Sequence, residues 1–299
     1  MTADTATRTF SAVPRFPAIW AAALSRPPVP RREELPDDVY RVERVRLDAE
    51  RSARFDHLMG ANAADYVHPG LLHVQAFPVA LSLMAQPRFP TPLLGLVHVK
   101  NQMLVHRPIG VNELVDVECR VQNLRPHRRG RTFEAVATFV SGGEIIATDV
   151  STYLARGNRG SGAEADAKRQ EAPARAEFRP PRPSARWKLG ADAGRRYAAV
   201  SGDTNPIHMS AVSAKLFGFN RAIAHGMYTA SRAFSECLPD LSRPLRWDVE
   251  FAAPVMIPGT VWVAYDEQTD RRTEFVGYRA PRQDRPARKN FSGSVETLG

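Results

Sequence analysis

An acid and an imidazole lie five residues apart in the segment Ser201–His208. Carboxylates and imidazoles are groups that proton-transfer catalysis uses often, and a pair held on one turn can share a single water molecule. The intervening Asn205 and Pro206 favour a turn in which the Asn side chain bonds its own backbone and orients the acid. Asp203 and His208 are therefore predicted to work together as a general acid–base pair.

A second element, Ile223–Met227, places a glycine where an apolar helix is predicted to begin. A glycine at a helix N-terminus presents an uncovered N–H group at the positive end of the helix, where a developing oxyanion is stabilised. Gly226 is predicted to supply this N–H group. Acid, imidazole and oxyanion donor thus all fall between residues 203 and 226.

These two elements resemble the MaoC-like, (R)-specific enoyl-thioester hydratase/dehydratase family of hotdog-fold proteins. The resemblance is carried by Tyr197–His208, Ala214, Phe217–Gly218, Ile223–Met227 and the strand-like segment Val249–Gly259. It implies a hydro-lyase that reversibly hydrates trans-2-enoyl thioesters to (3R)-hydroxyacyl thioesters in fatty-acid metabolism. The acyl group would be linked to coenzyme A or to acyl carrier protein, and neither a metal ion nor an organic cofactor would take part.

The resemblance also assigns roles to single residues. The catalytic residues would be Asp203, His208 and Gly226. The substrate-binding residues would be Asn205, Phe219, Ile223, His225 and Met227, and the three apolar ones would line an acyl slot. For His225 the alternative is a helix-start residue that faces away from the site. A hydroxyl group one or two helical turns after the glycine could come from Ser231 or Ser235, and the sequence does not decide between them.

The composition is that of a globular protein with a basic surface. The chain has 299 residues, of which 43% are hydrophobic and 24% charged, and its formal net charge is +9. The positive residues are neither clustered on one helix nor interleaved with aromatic residues, so nucleic-acid binding is not expected. They suit an anionic substrate carrier. Neither a run of eighteen apolar residues nor a signal-peptide pattern is present, which predicts a cytoplasmic protein without a membrane span.

The chain is predicted to contain two similar domains in an α+β fold. Residues 156–183 are rich in Gly, Pro, Ala and charge, which is typical of a linker, so the domains would span residues 1–155 and 184–299. Several residues recur at a constant offset of 150, among them Val99 with Val249 and Pro108 with Pro258. The resemblance makes this a double hotdog, in which two bent antiparallel sheets each wrap around a central helix and join edge to edge.

Each half is predicted to contain one apolar helix and several alternating strands. The helices are expected at Leu71–Met84 and Arg221–Phe234, with a kink at Pro78. Ser141–Gly143 predicts a hairpin turn. The strands are expected at Leu114–Val121, Thr132–Val140, Glu144–Tyr153, Thr260–Glu267, Thr273–Arg279 and Lys289–Val295.

The first half lacks the chemistry of the second. Leu58–Asp65 has no Asn-Pro pair and no histidine five residues after an acid, and Pro69–Val74 replaces the His-Gly-Met element. The loop between these segments is also shorter than its counterpart, which would leave space beside the first central helix. The resemblance implies that this space holds a long acyl chain, and Ala76 and Ala80 are predicted to face it.

Two other functions fit parts of the pattern. A hotdog thioesterase would need a carboxylate on the central helix, where Glu236 is the only acid and falls at the helix end. A non-catalytic subunit that binds acyl thioesters would not need the intact acid, imidazole and glycine. The histidines of the first half, His73 and His98 among them, lack metal-ligand spacing and are expected to be structural. A homodimer is compatible with the resemblance.

Overall fold

The computed structural model describes residues 6–25, 34–156, 177–283 and 285–299. Within these ranges the helices are α1 (Phe16–Leu24), α2 (Ala49–Met59), α3 (Pro69–Met84), α4 (Ala193–Ser201), α5 (Pro206–Met209), α6 (Ala211–Leu216) and α7 (Gly226–Glu236). The strands are β1 (Thr7–Phe10), β2 (Val39–Arg46), β3 (Leu96–Val105), β4 (Leu114–His127), β5 (Gly130–Ser141), β6 (Glu144–Arg156), β7 (Ala185–Leu189), β8 (Leu245–Phe251), β9 (Gly259–Thr269), β10 (Arg272–Arg279) and β11 (Arg288–Thr297). The predicted linker, 156–183, falls largely on residues 157–176, outside the described ranges, so the domain division stays a prediction.

All six strands predicted from alternation are present, and each is longer than predicted. Strands β5 and β6 are joined at Gly142 and Gly143, whose φ angles are 59° and 82°. Two consecutive positive φ values are typical of the tight two-residue hairpin, in which glycine carries no steric penalty. The predicted hairpin turn at Ser141–Gly143 is thereby confirmed.

One eleven-stranded sheet runs through both halves, in the order β1-β2-β4-β5-β6-β3-β8-β11-β10-β9-β7. The pair β1–β2 is parallel and the other neighbours are antiparallel. The halves meet where β3 pairs with β8, from Lys100 opposite Glu250 to Val105 opposite Leu245. This pairing confirms the expected edge-to-edge joining of two sheets and removes one free edge from each.

The long helix of the first half, α3, is buried on almost every side; only Phe77 and Ser82 among its residues are not. A helix that is apolar all round must be covered all round, and α3 packs on β2, β4 and β5 and contacts α1 and α7. Pro78 does not end the helix.

The second long helix, α7, begins at Gly226, as the Ile223–Met227 element predicts, and not at Arg221, where the internal repeat placed its start. His225 has an extended backbone (φ −60°, ψ 135°), which ends the helical path at its N-terminal side. Ile223, before it, forms an antiparallel bridge with Met256. The helix packs on β8, α2 and α3. Within the described ranges, no helix is long and apolar enough to cross a membrane.

Candidate active site

The acid of the site follows directly after α4. Gly202 ends that helix in the left-handed conformation (φ 80°), and Asp203 then donates its backbone N–H to Ser201 Oγ at 3.1 Å. The backbone N–H of Asn205 donates to Asp203 Oδ1 at 3.0 Å, and the Asn205 side chain accepts from the Ile207 N–H at the start of α5. These short-range bonds fix the carboxyl group relative to α5, as the Asn-Pro turn predicts.

The imidazole of His208 presents one ring nitrogen for chemistry. Its Nδ1 donates to the Ile223 carbonyl oxygen at 2.8 Å, because a carbonyl can only accept. Burial lowers the pKa of His208 to about 3, and the neighbouring His225 contributes in the same direction. At neutral pH the ring is therefore uncharged, with its proton on Nδ1 and a lone pair on Nε2. That is the form of a general base.

The pKa of the Asp203 carboxyl group is shifted in the opposite direction to that of His208. The residue is 8% exposed, and burial raises the pKa of its carboxyl above the usual range. His208, the Asn205 N–H and His73 each lower that pKa and oppose the shift without cancelling it. A carboxyl that retains its proton more readily than in water is suited to act as a general acid. Burial thus favours the uncharged form of both groups, so His208 is suited to act as the base and Asp203 as the acid.

His225 contacts both Asp203 and His208. It precedes the first residue of α7, and its ring stacks on that of His208, with centroids 3.7 Å apart and an interplanar angle of 28°. Its Nε2 donates to the Asp203 carbonyl oxygen at 3.1 Å and lies 3.6 Å from Asp203 Oδ2. The ring therefore faces the site, and the alternative that His225 points away is wrong.

Asp203, His208 and His225 each offer one possible ligand atom within 4.8 Å of the others. A metal ion binds histidine at about 2.0–2.1 Å, along the lone pair that lies in the ring plane. The Nδ1 of His208 and the Nε2 of His225 each donate to a backbone carbonyl oxygen, so neither of these two nitrogens has a lone pair for an ion. The geometry favours proton transfer over metal binding at this cluster.

Gly226 is the first residue of α7, and His225 makes no side-chain cap over it. The backbone N–H groups in the first turn of a helix have no acceptor within the helix, so they can bind a negatively charged oxygen. A Cβ atom on Gly226 would lie 3.0 Å from Phe251 Cε1, which is a tight contact with the ring. The glycine therefore lets Phe251 approach the helix N-terminus closely.

The start of α3 explains why the first half has no equivalent donor. His68 precedes α3 with φ −62° and ψ 129°, nearly the backbone conformation of His225 before α7. The next residue is Pro69, which has no N–H group, and the following N–H, of Gly70, donates to His68 Nδ1 at 2.8 Å. A proline stands where the second half has Gly226, so the N–H that could bind an oxyanion is missing.

One cavity of about 1310 Å³ lies between the two halves. The catalytic candidates and His225 are among the residues that line it. Every residue that the sequence assigned to the site lines it: Asp203, Asn205, His208, Phe219, Ile223, His225, Gly226 and Met227. Their individual roles remain predictions. Ser231 and Ser235 are buried near His68 instead, and Thr229 of α7 lines the cavity with its hydroxyl donating to the Gly226 carbonyl oxygen at 2.8 Å.

Sequence reasoning predicted a space beside the first central helix but did not identify the residues of the first half that line the cavity. The lining includes His73, Val74, Phe77 and Leu81 of α3, together with His98 and Tyr153. Ala76 and Ala80 are buried and are not part of this lining, so the prediction that they face the acyl space is wrong. The missed signal was the presence of polar residues, such as Asn101 and Asp149, at inward positions of otherwise apolar strands.

Glu236, the acid that a thioesterase would use, does not line the cavity. Its carboxylate accepts from Arg232 Nε at 3.2 Å and from the Tyr265 hydroxyl at 2.9 Å. Both carboxylate oxygens are therefore engaged at the far end of α7. This placement does not favour an attack on a thioester carbonyl at the helix N-terminus.

Known proteins share both the sequence pattern and the fold. Residues 171–276 match the model of the MaoC like domain. The 3-hydroxyacyl-thioester dehydratase X of Mycobacterium tuberculosis is 34% identical over 240 residues, which are 80% of this chain and 84% of that protein. The crystal structure of HtdX from the same organism superposes with a TM-score of 0.72 at 29% identity, over 87% of this chain and 100% of that chain.

A MaoC-like dehydratase from Phytophthora capsici superposes with a TM-score of 0.62 at 19% identity, over 87% of this chain and 95% of that one. This last likeness concerns the fold alone. Together with the structure of HtdX it identifies the architecture as the expected α+β hotdog fold.

Proposed function

The chain belongs to the MaoC-like dehydratase family, and from this membership we propose that it interconverts (3R)-hydroxyacyl and trans-2-enoyl thioesters of fatty-acid metabolism. The acyl group would be carried by coenzyme A or acyl carrier protein. The observation that carries the proposal is that Asp203, His208 and Gly226 line one cavity, although they belong to three different elements of the chain.

Dehydration would begin at the carbon next to the thioester. The neutral His208 would accept the proton from C2 on its Nε2 lone pair, since its Nδ1 is bonded to the Ile223 carbonyl. The electron pair of the broken C–H bond would move toward the thioester carbonyl, whose oxygen gains negative charge. The Gly226 N–H would donate to that oxygen, assisted by the positive end of α7.

The second half of the reaction would break the C3–O bond. Asp203, whose raised pKa favours the protonated form, would donate its proton to the C3 hydroxyl, and water would leave as the C2–C3 double bond forms. A proton passing from His208 to Asp203 through a water molecule would restore the starting state. Because both groups stand on one short loop, both transfers would occur on one face of the substrate, which supports a syn reaction; the (3R) configuration is what the family resemblance implies.

Purified protein assayed with crotonyl-CoA tests this proposal. A hydratase will bleach the enoyl absorbance without releasing a thiol, and chiral analysis of the product will give the (3R) alcohol. Asp203→Asn is the matched control, since it retains shape while removing the proton-transfer group. Formation of the (3S) alcohol would refute the proposed geometry.

The same assay separates the alternatives. A thioesterase would release free coenzyme A, detected with a thiol reagent, and an acyl-thioester-binding subunit would change neither signal. Glu236→Gln should leave hydration within a few-fold of wild type, because Glu236 lies outside the cavity lining and pairs with Arg232 and Tyr265. Activity that is lost with EDTA and restored by zinc would contradict the metal-free mechanism.

A further inference from the structure

A chain of buried hydrogen bonds crosses the first half and ends at the cavity. Ser151 Oγ donates to Asn101 Oδ1 at 2.9 Å, and Asn101 Nδ2 donates to Asp149 Oδ1 at 2.6 Å. Asp149 Oδ2 then lies 2.7 Å from His73 Nδ1. All four side chains, here called the polar relay, belong to residues that are at most 4% exposed. The relay holds the His73 ring in one orientation.

The polar relay occupies positions where the pattern of the sheet calls for apolar residues. Along β6, every second residue faces the same buried side, and these residues include Asp149, Ser151 and Tyr153. On β3, Asn101 stands directly opposite Ser151. Buried polar groups of this kind are costly unless each is bonded, and apolar residues of similar shape often serve stability as well. Packing alone therefore does not account for four of them in one place.

The end of the relay faces the cavity. Nδ1 of His73 is occupied by Asp149, which leaves Nε2 as the ring nitrogen available to a ligand. The His73 ring stacks on His98, with centroids 5.6 Å apart and planes 7° from parallel. His98 also lines the cavity, and among the described residues its buried Nε2 has no hydrogen-bond partner. The two stacked imidazoles thus lie in the same region of the cavity wall, and His98 Nε2 is a buried nitrogen without a partner in the described part of the chain.

This pair lies close to the reaction centre. The His98 ring is 5.2 Å from Phe251, whose edge covers Gly226. On the other side, His73 stacks on Phe77, which packs against Phe16. Phe16 in turn lies beside Gly202, the neighbour of Asp203, where an added Cβ would be 3.5 Å from Phe16 Cε2. A single aromatic ring therefore separates the imidazole pair from the oxyanion donor.

On the first-half side, α1 and α3 contribute a mainly apolar part of the wall, and that side is also lined by the polar residues Thr91, Arg129, Arg131, Tyr153 and Arg156. The apolar part is formed largely by Phe16, Trp20, Val74, Phe77 and Leu81, which suit a hydrocarbon chain. A plain acyl chain laid along this wall would cover the His73 ring with methylene groups and would leave the buried His98 Nε2 without a partner. Leaving a buried acceptor or donor unpaired is unfavourable, whereas a substrate oxygen at that place would pair with it.

We propose that His73, oriented by Asp149, and His98 form a recognition site for an oxygen substituent on the acyl chain. The preferred substrates would then be thioesters whose chain carries a second hydroxyl or keto oxygen beyond C3. This inference rests on the proposed function, since it places the acyl chain of a hydratase substrate along the first-half wall.

The test compares trans-2-decenoyl-CoA with its mono-hydroxylated analogues at carbons five to nine. In the wild-type protein, kcat/KM for at least one analogue should exceed that of the unsubstituted thioester by on the order of tenfold. His73→Leu should abolish this ratio, and His73→Gln, which retains a hydrogen-bonding group, should keep part of it. His98→Leu provides a second, independent variant if His73→Leu does not fold.

Phe77→Leu is the matched control, because it changes the shape of the same helix face without changing its polarity. It should leave the ratio between hydroxylated and plain chains as in wild type. The inference is overturned if no hydroxylated analogue exceeds the plain thioester, or if the ratio survives His73→Leu in a folded protein. Failure of the proposed function would be distinct, since the wild-type protein would then hydrate neither kind of thioester.

Discussion

Replacing Gly226 with proline should abolish most of the activity while leaving the fold intact. Proline has no N–H group, so the variant lacks the donor that the thioester oxygen would use. The backbone tolerates it, because His225 already has the extended conformation that a residue before proline prefers. Pro69 shows this same arrangement at the start of α3, after His68. At the first position of a helix, no intrahelical hydrogen bond is lost.

The size of the effect follows from the role of the N–H group. Removing one donor to a developing oxyanion typically lowers kcat by about 10²–10³, which corresponds to about 2.7–4 kcal/mol. Gly226→Ala separates this loss from crowding, since it places the same Cβ 3.0 Å from Phe251 Cε1 but keeps the N–H. Phe251 lines the cavity and its ring can shift, so the alanine variant should lose far less activity.

The assay is kcat for crotonyl-CoA hydration in both variants, with the melting temperature measured alongside. A proline variant within tenfold of the alanine variant, with equal thermal stability, would refute the assignment of Gly226 as the oxyanion donor.

Three further outcomes are expected. Asp203→Asn and His208→Ala should each lower turnover by about 10²–10⁴, and the double variant should be little worse than either; strictly additive losses would show that the two residues act separately. Activity should fall as the pH rises through the raised pKa of Asp203, because the proposed cycle needs its protonated form to donate to the C3 hydroxyl. His208, with a pKa of about 3, should cause no loss near pH 6.5, which a pH profile of kcat/KM will check. Leu81→Trp would narrow the cavity beside α3. It should lower kcat/KM for ten-carbon acyl chains more than for crotonyl-CoA, by about 0.8 kcal/mol for each lost methylene contact.

The second half of the site could be predicted from the sequence because its parts are close together in the chain. Asp203, Asn205 and His208 are held by bonds within one loop, and Gly226 marks the start of a helix whose apolar residues are visible in the sequence. The limits of α7 were misplaced because the chain before it pairs with Met256, a contact that no local pattern reveals.

The contribution of the first half depends on contacts between distant residues. Asp149 and His73 are 76 positions apart, and Asn101 bonds Asp149 across 48 positions. Taken singly, each is an ordinary polar residue, and His73 was expected to be structural. His68 and His225 correspond because each directly precedes the long helix of its half. This correspondence is hidden in the sequence for another reason. Pro69 stands where the second half has Gly226, so the His-Gly-Met triplet does not recur in the first half.

The pairing of β3 with β8 has a consequence for how the enzyme reaches its active state. Residues such as Lys100 and Glu250 are brought together over half the length of the chain, and contacts of such long range form slowly because the intervening loop must first be closed. The cavity needs this closure, since its walls come from both sides of the junction. During refolding, helical circular dichroism should recover before hydratase activity, and on the ribosome activity should await synthesis of β11.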